Sequence, residues 1–138
     1  MKKKKGWIIG IVLLSIGIVI ALIVFLSLVW NRYIEPTRTS QFELKDYEYY
    51  LTEFPYEKFV GPIDDSRTAK EKGIAVLKEI YGDEIAEEEA PFYVSYDRQN
   101  DAWLIHGSLP MLPLMDGGVG YVILSGTDGD VLAVWHTK

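Results

Sequence analysis

The sequence predicts an α+β protein: an N-terminal transmembrane helix followed by a small domain in which one main helix packs on a four-stranded antiparallel sheet. Three observations carry this. Trp7 to Trp30 runs for 24 positions without a charge, directly after Met1-Lys-Lys-Lys-Lys. Residues 66–81 repeat apolar side chains at helical spacing. After residue 90, four short alternating segments follow one another with turn residues between them.

As a helix, the apolar stretch is roughly 36 Å long, against about 30 Å of bilayer hydrocarbon. A helix satisfies its own backbone groups in lipid, where no water can do so. The competing reading is a cleavable signal peptide, whose apolar region runs about 7–15 residues and ends in small residues. Here the run is longer and ends Leu26-Ser27-Leu28-Val29-Trp30. No Cys is present to carry a lipoprotein anchor. The expectation is an uncleaved, single-pass anchor in the cell membrane, in contact with the lipid bilayer through residues 7–30. Trp7 and Trp30 fall at the interfaces, where indole rings are favoured. Lys2 to Lys5 precede the span, while only Arg32 and Arg38 follow it closely. The positive-inside bias therefore puts the N-terminus in the cytoplasm and the C-terminal domain outside.

This divides the chain into a basic tip and anchor at 1–30, a linker at 31–40 and a domain at 41–138. The first part carries four Lys and no acid (+4). Residues 31–138 carry ten Lys/Arg and twenty Asp/Glu (−10), and the two account for the net −6. So acidic a domain argues against nucleic acid and against anionic lipid as partners, and permits a basic protein. With no cysteine, disulfides and thiol chemistry are excluded.

The linker, NRYIEPTRTS, holds Pro36, which breaks helix continuation. Residues 41–63 contain seven Phe and Tyr, too many for a free stalk, so the piece should lie along the domain and cover part of its core. Tyr47 to Leu51 reads equally as a short strand or a helical turn. Phe59-Val60, between Pro55 and Pro62, reads as extended. The helix at 66–81 has N-cap acceptors in Asp64, Asp65 and Ser66, and capping-box spacing at Thr68 and Glu71. Ala69, Gly73, Val76, Leu77, Ile80 and Tyr81 form its apolar stripe, with Lys70 and Lys72 on the wet side. Gly82 is placed to end it in the left-handed conformation. Residues 83–90 are an acidic connection. The predicted strands are Pro91–Tyr96, Ala102–Gly107, Val119–Leu124 and Val131–Trp135. The turn Gly126-Thr127-Asp128-Gly129 joins the last two. Tight turns between consecutive strands mean a meander, with the helix over one face.

Reactive groups are sparse. His106 and His136 lack a third ligand motif for metal. No nucleophile context and no phosphate-binding glycine loop occur. Glu87-Glu88-Glu89 lacks the ligand spacing of a calcium loop. The acids fall mainly on loops and the outer helix face rather than as a buried pair, so no cofactor and no acid–base catalysis are expected. Asp116-Gly117-Gly118 reads as a turn needing positive φ. Trp103 and Trp135 read as packing residues. The one candidate contact surface is the apolar loop with Leu109, Met111, Leu112, Leu114, Met115 and Asp116. Exposed Met and Leu suit a protein partner, but the loop can equally fold back and plug the sheet.

Several pieces recur in a characteristic order. They are Thr68-Ala69, Tyr81-Gly82, Pro91-Phe92-Tyr93-Val94 and Trp103-Leu104-Ile105-His106-Gly107-Ser108-Leu109-Pro110, followed by Gly117-Gly118-Val119 and Asp128-Gly129-Asp130-Val131-Leu132-Ala133-Val134-Trp135-His136-Thr137-Lys138. In order and spacing, residues 59–138 resemble the bacterial NTF2 fold immunity protein family. The resemblance implies a cystatin- or NTF2-like cone and a non-enzymatic protein that neutralises a cognate toxin by binding it. It carries over no catalytic residue. Two other readings stand beside it. One is an extracytoplasmic PepSY-like regulatory or inhibitory module. The other is a small-molecule-binding or isomerase domain of NTF2 type, with His106 or Asp116 as the acid or base in an apolar cavity.

Overall fold

The structure, a computed structural model, describes residues 2–33, 39–109 and 117–138. Contacts divide it into two compact units, Met1–Ile34 and Glu35–Lys138.

The first unit is a single helix, α1 (Lys2–Tyr33). Its segment Lys4–Leu28 is long and apolar enough to cross a membrane. Described apolar side chains on every side of it, Trp7, Leu13, Leu14, Phe25 and Leu26 among them, lie uncovered by protein. A helix greasy all round suits lipid rather than one wet and one dry side. The helix outruns the predicted anchor by three residues at its C-terminal end.

The second unit is α+β. In chain order it holds β1 (Ser40–Gln41), the 3₁₀ turn η1 (Leu44–Tyr47), α2 (Glu48–Glu53), α3 (Ser66–Tyr81), α4 (Ile85–Glu88), β2 (Tyr93–Asp97), β3 (Ala102–His106), β4 (Gly120–Ser125) and β5 (Val131–His136). The sheet order is β1-β2-β3-β4-β5. The meander β2 to β5 is antiparallel, as the sequence predicts, with strand ends moved by one or two residues. The fifth strand is an addition. The last residue of the expected linker, Ser40, and the first of the expected domain, Gln41, pair parallel to Ser95 and Tyr96. So short a strand has no periodicity to read.

Strand alternation sends side chains to two buried layers. Val94, Trp103, Ile105, Val122, Leu124, Val131 and Val134 face α3, where Ala69, Val76 and Leu77 meet them. Ala102, Leu104, Ile123, Ala133 and Trp135 face the other way, under Phe42, Leu44, Tyr47, Tyr50 and Leu51. The aromatic segment that opens the domain is therefore helical and forms a third layer. β5 reaches both layers through a bulge. Its register shifts between Ile123 and Leu124, so Leu132 and Ala133 lie consecutively on the same side.

Helix α3 starts on Asp65, whose carboxylate accepts the Thr68 N–H at 2.7 Å. That bond holds the Asp65 carboxyl below its usual range. The apolar stripe is buried through Leu77. Ile80 and Tyr81 at its end are partly exposed, and Lys70 is buried rather than wet. Gly82 does take positive φ (+101°), but with ψ of 163° rather than a left-handed helical value. Gly73 lies where the helix meets the sheet: a Cβ there would stand 2.9 Å from Ile105 Cβ and Cγ1. Gly73→Ala should gain about 1 kcal/mol of helix propensity and lose more to overpacking. The expected net loss is about 1 kcal/mol, read as a melting temperature several degrees lower.

Candidate functional site

A cluster of polar groups lies at one end of the sheet, where β3 leaves and β4 enters. Their centre is Glu89, which ends α4 and is 7% exposed. Its Oε2 accepts the Gly120 N–H at 2.7 Å, and its Oε1 lies 2.8 Å from His136 Nε2. Its main-chain oxygen accepts the Ser108 N–H at 2.8 Å. One residue thus ties α4 to the end of β3, the start of β4 and the end of β5. Gly107 is required beside it, because a Cβ there would strike the Glu89 side chain. His136 Nδ1 lies 2.6 Å from the Thr137 carbonyl, so both ring nitrogens face acceptors. A neutral imidazole can donate to only one of them. Tyr81 lies against His136 at 5.3 Å. Burial, and then the Glu89 carboxylate, push its hydroxyl above the ordinary range.

Glu89, buried and bonded to Gly120 and His136, is an exception to the mainly loop and outer-face placement expected for the acids. In sequence it is the third of three glutamates and looks like its neighbours. Only its place just before Ala90-Pro91, where the chain turns into β2, sets it apart.

The second feature is a row of rings on the sheet face opposite α3. Tyr93, His106, Tyr121 and Trp135 are register partners on successive strands. Their centroids are 5.5, 5.1 and 5.0 Å apart, with planes within 25° of one another. Tyr50 of α2 continues the row, stacked on Trp135 at 4.2 Å. Such opposite pairs are the unit of sheet stabilisation. α2 and η1 cover the row at Trp135 and leave Tyr93 40% exposed.

Of the predicted contact residues, Leu109 follows β3 by three positions and is 59% exposed. Met111, Leu112, Leu114, Met115 and Asp116 lie outside the described residues. Gly117 and Gly118 are not among the positive-φ glycines. Gly118 is needed instead because a Cβ would enter the Thr137 backbone. The other named base, His106, lies between Tyr93 and Tyr121 with Nδ1 at 2.7 Å from the Gly107 carbonyl. The space in which an isomerase reading would hold its ligand on this face is occupied by Leu104, Ile123, Trp135 and the α2 layer. Trp103 and Trp135 are packing residues, 7% and 4% exposed. Among the described residues no three His, Asp or Glu side chains are grouped to hold a metal.

Two further carboxylates are structural. Burial pushes the Asp97 carboxyl up, but bonds from the Leu44, Gln99 and Asn100 N–H groups and the Asn100 amide outweigh it and leave it below its usual range. The Thr127 and Tyr96 hydroxyls do the same for Asp101. Asp97 thereby fixes η1 to the β2–β3 turn.

Helix over one face of a mostly antiparallel sheet, with the opposite face half covered, is the NTF2-like α+β class. Residues 72–138 match the family model described as NTF2 fold immunity protein. The match begins within α3 and runs to Lys138, inside the 59–138 over which the motifs resemble the family. No curated protein and no solved structure matches the chain.

Proposed function

We propose that this protein is a membrane-tethered immunity protein that binds a cognate toxin directly and does no chemistry on it. The observation that carries the reading is the immunity-family match over residues 72–138. The apolar α1 supports the tether, and the four lysines before it support a cytoplasmic N-terminus and an extracytoplasmic domain. The excess of acid in residues 31–138 supports a basic partner. For the contact we propose the exposed end of the sheet with Leu109 and the segment carrying Met111, Leu112, Leu114, Met115 and Asp116. On this reading the domain spans 41–138, and the toxin acts at, or crosses, the envelope.

The test has two arms. Toxins encoded beside this gene are expressed in a host with and without the full-length chain. Protection, together with co-purification of toxin and chain from detergent, is the expected result. In parallel, added protease should cleave the C-terminal domain on intact, wall-stripped cells and leave the N-terminal tip intact. No protection from any neighbouring toxin removes the immunity role. A mature chain trimmed near residue 30 removes the tether.

A further inference from the structure

Among the described residues the aromatic row has one closed end and one open end. It closes at Trp135, which is buried and stacked on by Tyr50. It opens at Tyr93, the outermost ring on β2. The neighbouring strand β1 pairs only with Ser95 and Tyr96, so no described strand lies alongside Tyr93 on its outer side. The ring is therefore held in place by His106 on one side and is 40% exposed. A half-exposed ring fixed by a stack loses little freedom on binding, which suits an interface anchor.

Charge decides what can lie on it. β2, β3, β4 and β5 contain no Lys or Arg. Residues 31–138 carry two acids for each base. An anionic group is disfavoured at such a surface, and a cation is favoured by the ring's negative face and the surrounding field. Among cations, guanidinium is planar, weakly hydrated and able to extend a stack, while ammonium is compact and strongly hydrated. We infer that the open end of the row, at Tyr93, receives an arginine side chain of the protein partner. This rests on the toxin-binding reading above and names the chemistry of its contact: the guanidinium becomes the next layer on Tyr93.

The experiment uses the full-length chain in phosphatidylcholine nanodiscs at low salt. Three probes are titrated calorimetrically: a short arginine–glycine repeat peptide, its lysine counterpart and its glutamate counterpart. The arginine peptide should bind several-fold more tightly than the lysine peptide, and the glutamate peptide should not bind. Tyr93→Ala should weaken the arginine peptide roughly fivefold to tenfold, as loss of a partly desolvated cation–π contact does. Tyr93→Phe keeps the ring and should keep the affinity, which guards against a folding artefact. Tyr49→Ala removes a ring that is 64% exposed on α2 and should change nothing. Failure of the arginine peptide to bind, or equal binding by Tyr93→Ala and the parent, overturns the inference. Binding seen only in Arg38→Ala overturns it too, because the chain's own arginine would then hold the position. Toxin protection that survives Tyr93→Ala unchanged removes this contact and leaves the immunity role. Arginine binding at Tyr93 in a chain that protects against no toxin removes that role and leaves the contact.

Discussion

Replacing Glu89 by Ala should destabilise the C-terminal domain by roughly 3 kcal/mol, a large part of the stability of a domain this size. The side chain is 9% exposed and engages two partners. Without it the Gly120 N–H, bonded at 2.7 Å in a buried site, has no acceptor. An unmet buried donor alone costs about 1–3 kcal/mol. The contact to His136 is lost as well, so the end of β5 loses its tie to α4. Glu89→Gln separates the two effects. Its amide oxygen can still accept from Gly120, while the negative charge beside His136 and Tyr81 is gone. The expected loss is then about 1 kcal/mol, and the Tyr81 hydroxyl should titrate lower than in the parent. Its pKa is raised by burial first and by Glu89 second, so removing the second leaves only part of the shift. Urea melts of both variants check the stabilities, and absorbance titration checks the tyrosine. Equal stability of Glu89→Ala and the parent would mean that water or a neighbour takes over the acceptor role. Hydrogen exchange at Gly120 and Ser108 distinguishes local from global loosening. Ser108 bonds the Glu89 main-chain oxygen, which the substitution retains, so its amide should loosen less than that of Gly120.

How much of this could be read from residues depends on the range of the interactions. The apolar helix α1 follows from an unbroken uncharged run, and α3 and the four long strands follow from periodicity; both are local signals. The helix cap and the Gly126–Gly129 turn are local too: of the three acceptors at 64–66 Asp65 takes the cap, although Thr68, read with Glu71 as a capping box, lies inside the helix as its donor. What escaped is what depends on partners far along the chain. Tyr47–Leu51 has no decisive period by itself. It becomes helical where Tyr47 and Tyr50 lie on Trp135, some 85 residues later. β1 exists only because β2 offers it an edge. Glu89 is distinguished from Glu87 and Glu88 by Gly120 and His136, which are 31 and 47 residues away. Gly118 looked like a turn glycine, yet it is required by the approach of Thr137. The Glu89 cluster and the aromatic row were not legible. Leu109 and the apolar segment after it stand out by composition. The row from Tyr93 to Trp135 does not, because it appears only when the strand register sets four distant rings side by side.

The same long-range packing gives the largest expected effect on the domain. Trp135→Ala should cost about 4 kcal/mol, in the range for deleting a large buried aromatic side chain. The indole is 4% exposed, stacks on Tyr50 at 4.2 Å and on Tyr121 at 5.0 Å, and meets Tyr47 at 6.0 Å. It is the residue on which the layer of η1 and α2 rests. The loss should therefore be uneven. Amides of α2 should exchange much faster, because a six-residue helix holds little structure without tertiary contacts. Amides of α3, which packs on the other face against Ile105, Val122 and Val134, should change less. The near-ultraviolet circular dichroism of the stacked rings should fall sharply. Trp135→Phe keeps a ring in the stack and should cost about 1–2 kcal/mol through lost volume alone. Trp7→Ala, in α1 and uncovered by protein, should leave the melting of the C-terminal domain unchanged. A Trp135→Ala chain that melts within 1 kcal/mol of the parent, or that loosens α3 as much as α2, would show that the 41–54 segment merely lies against the sheet and does not complete its core.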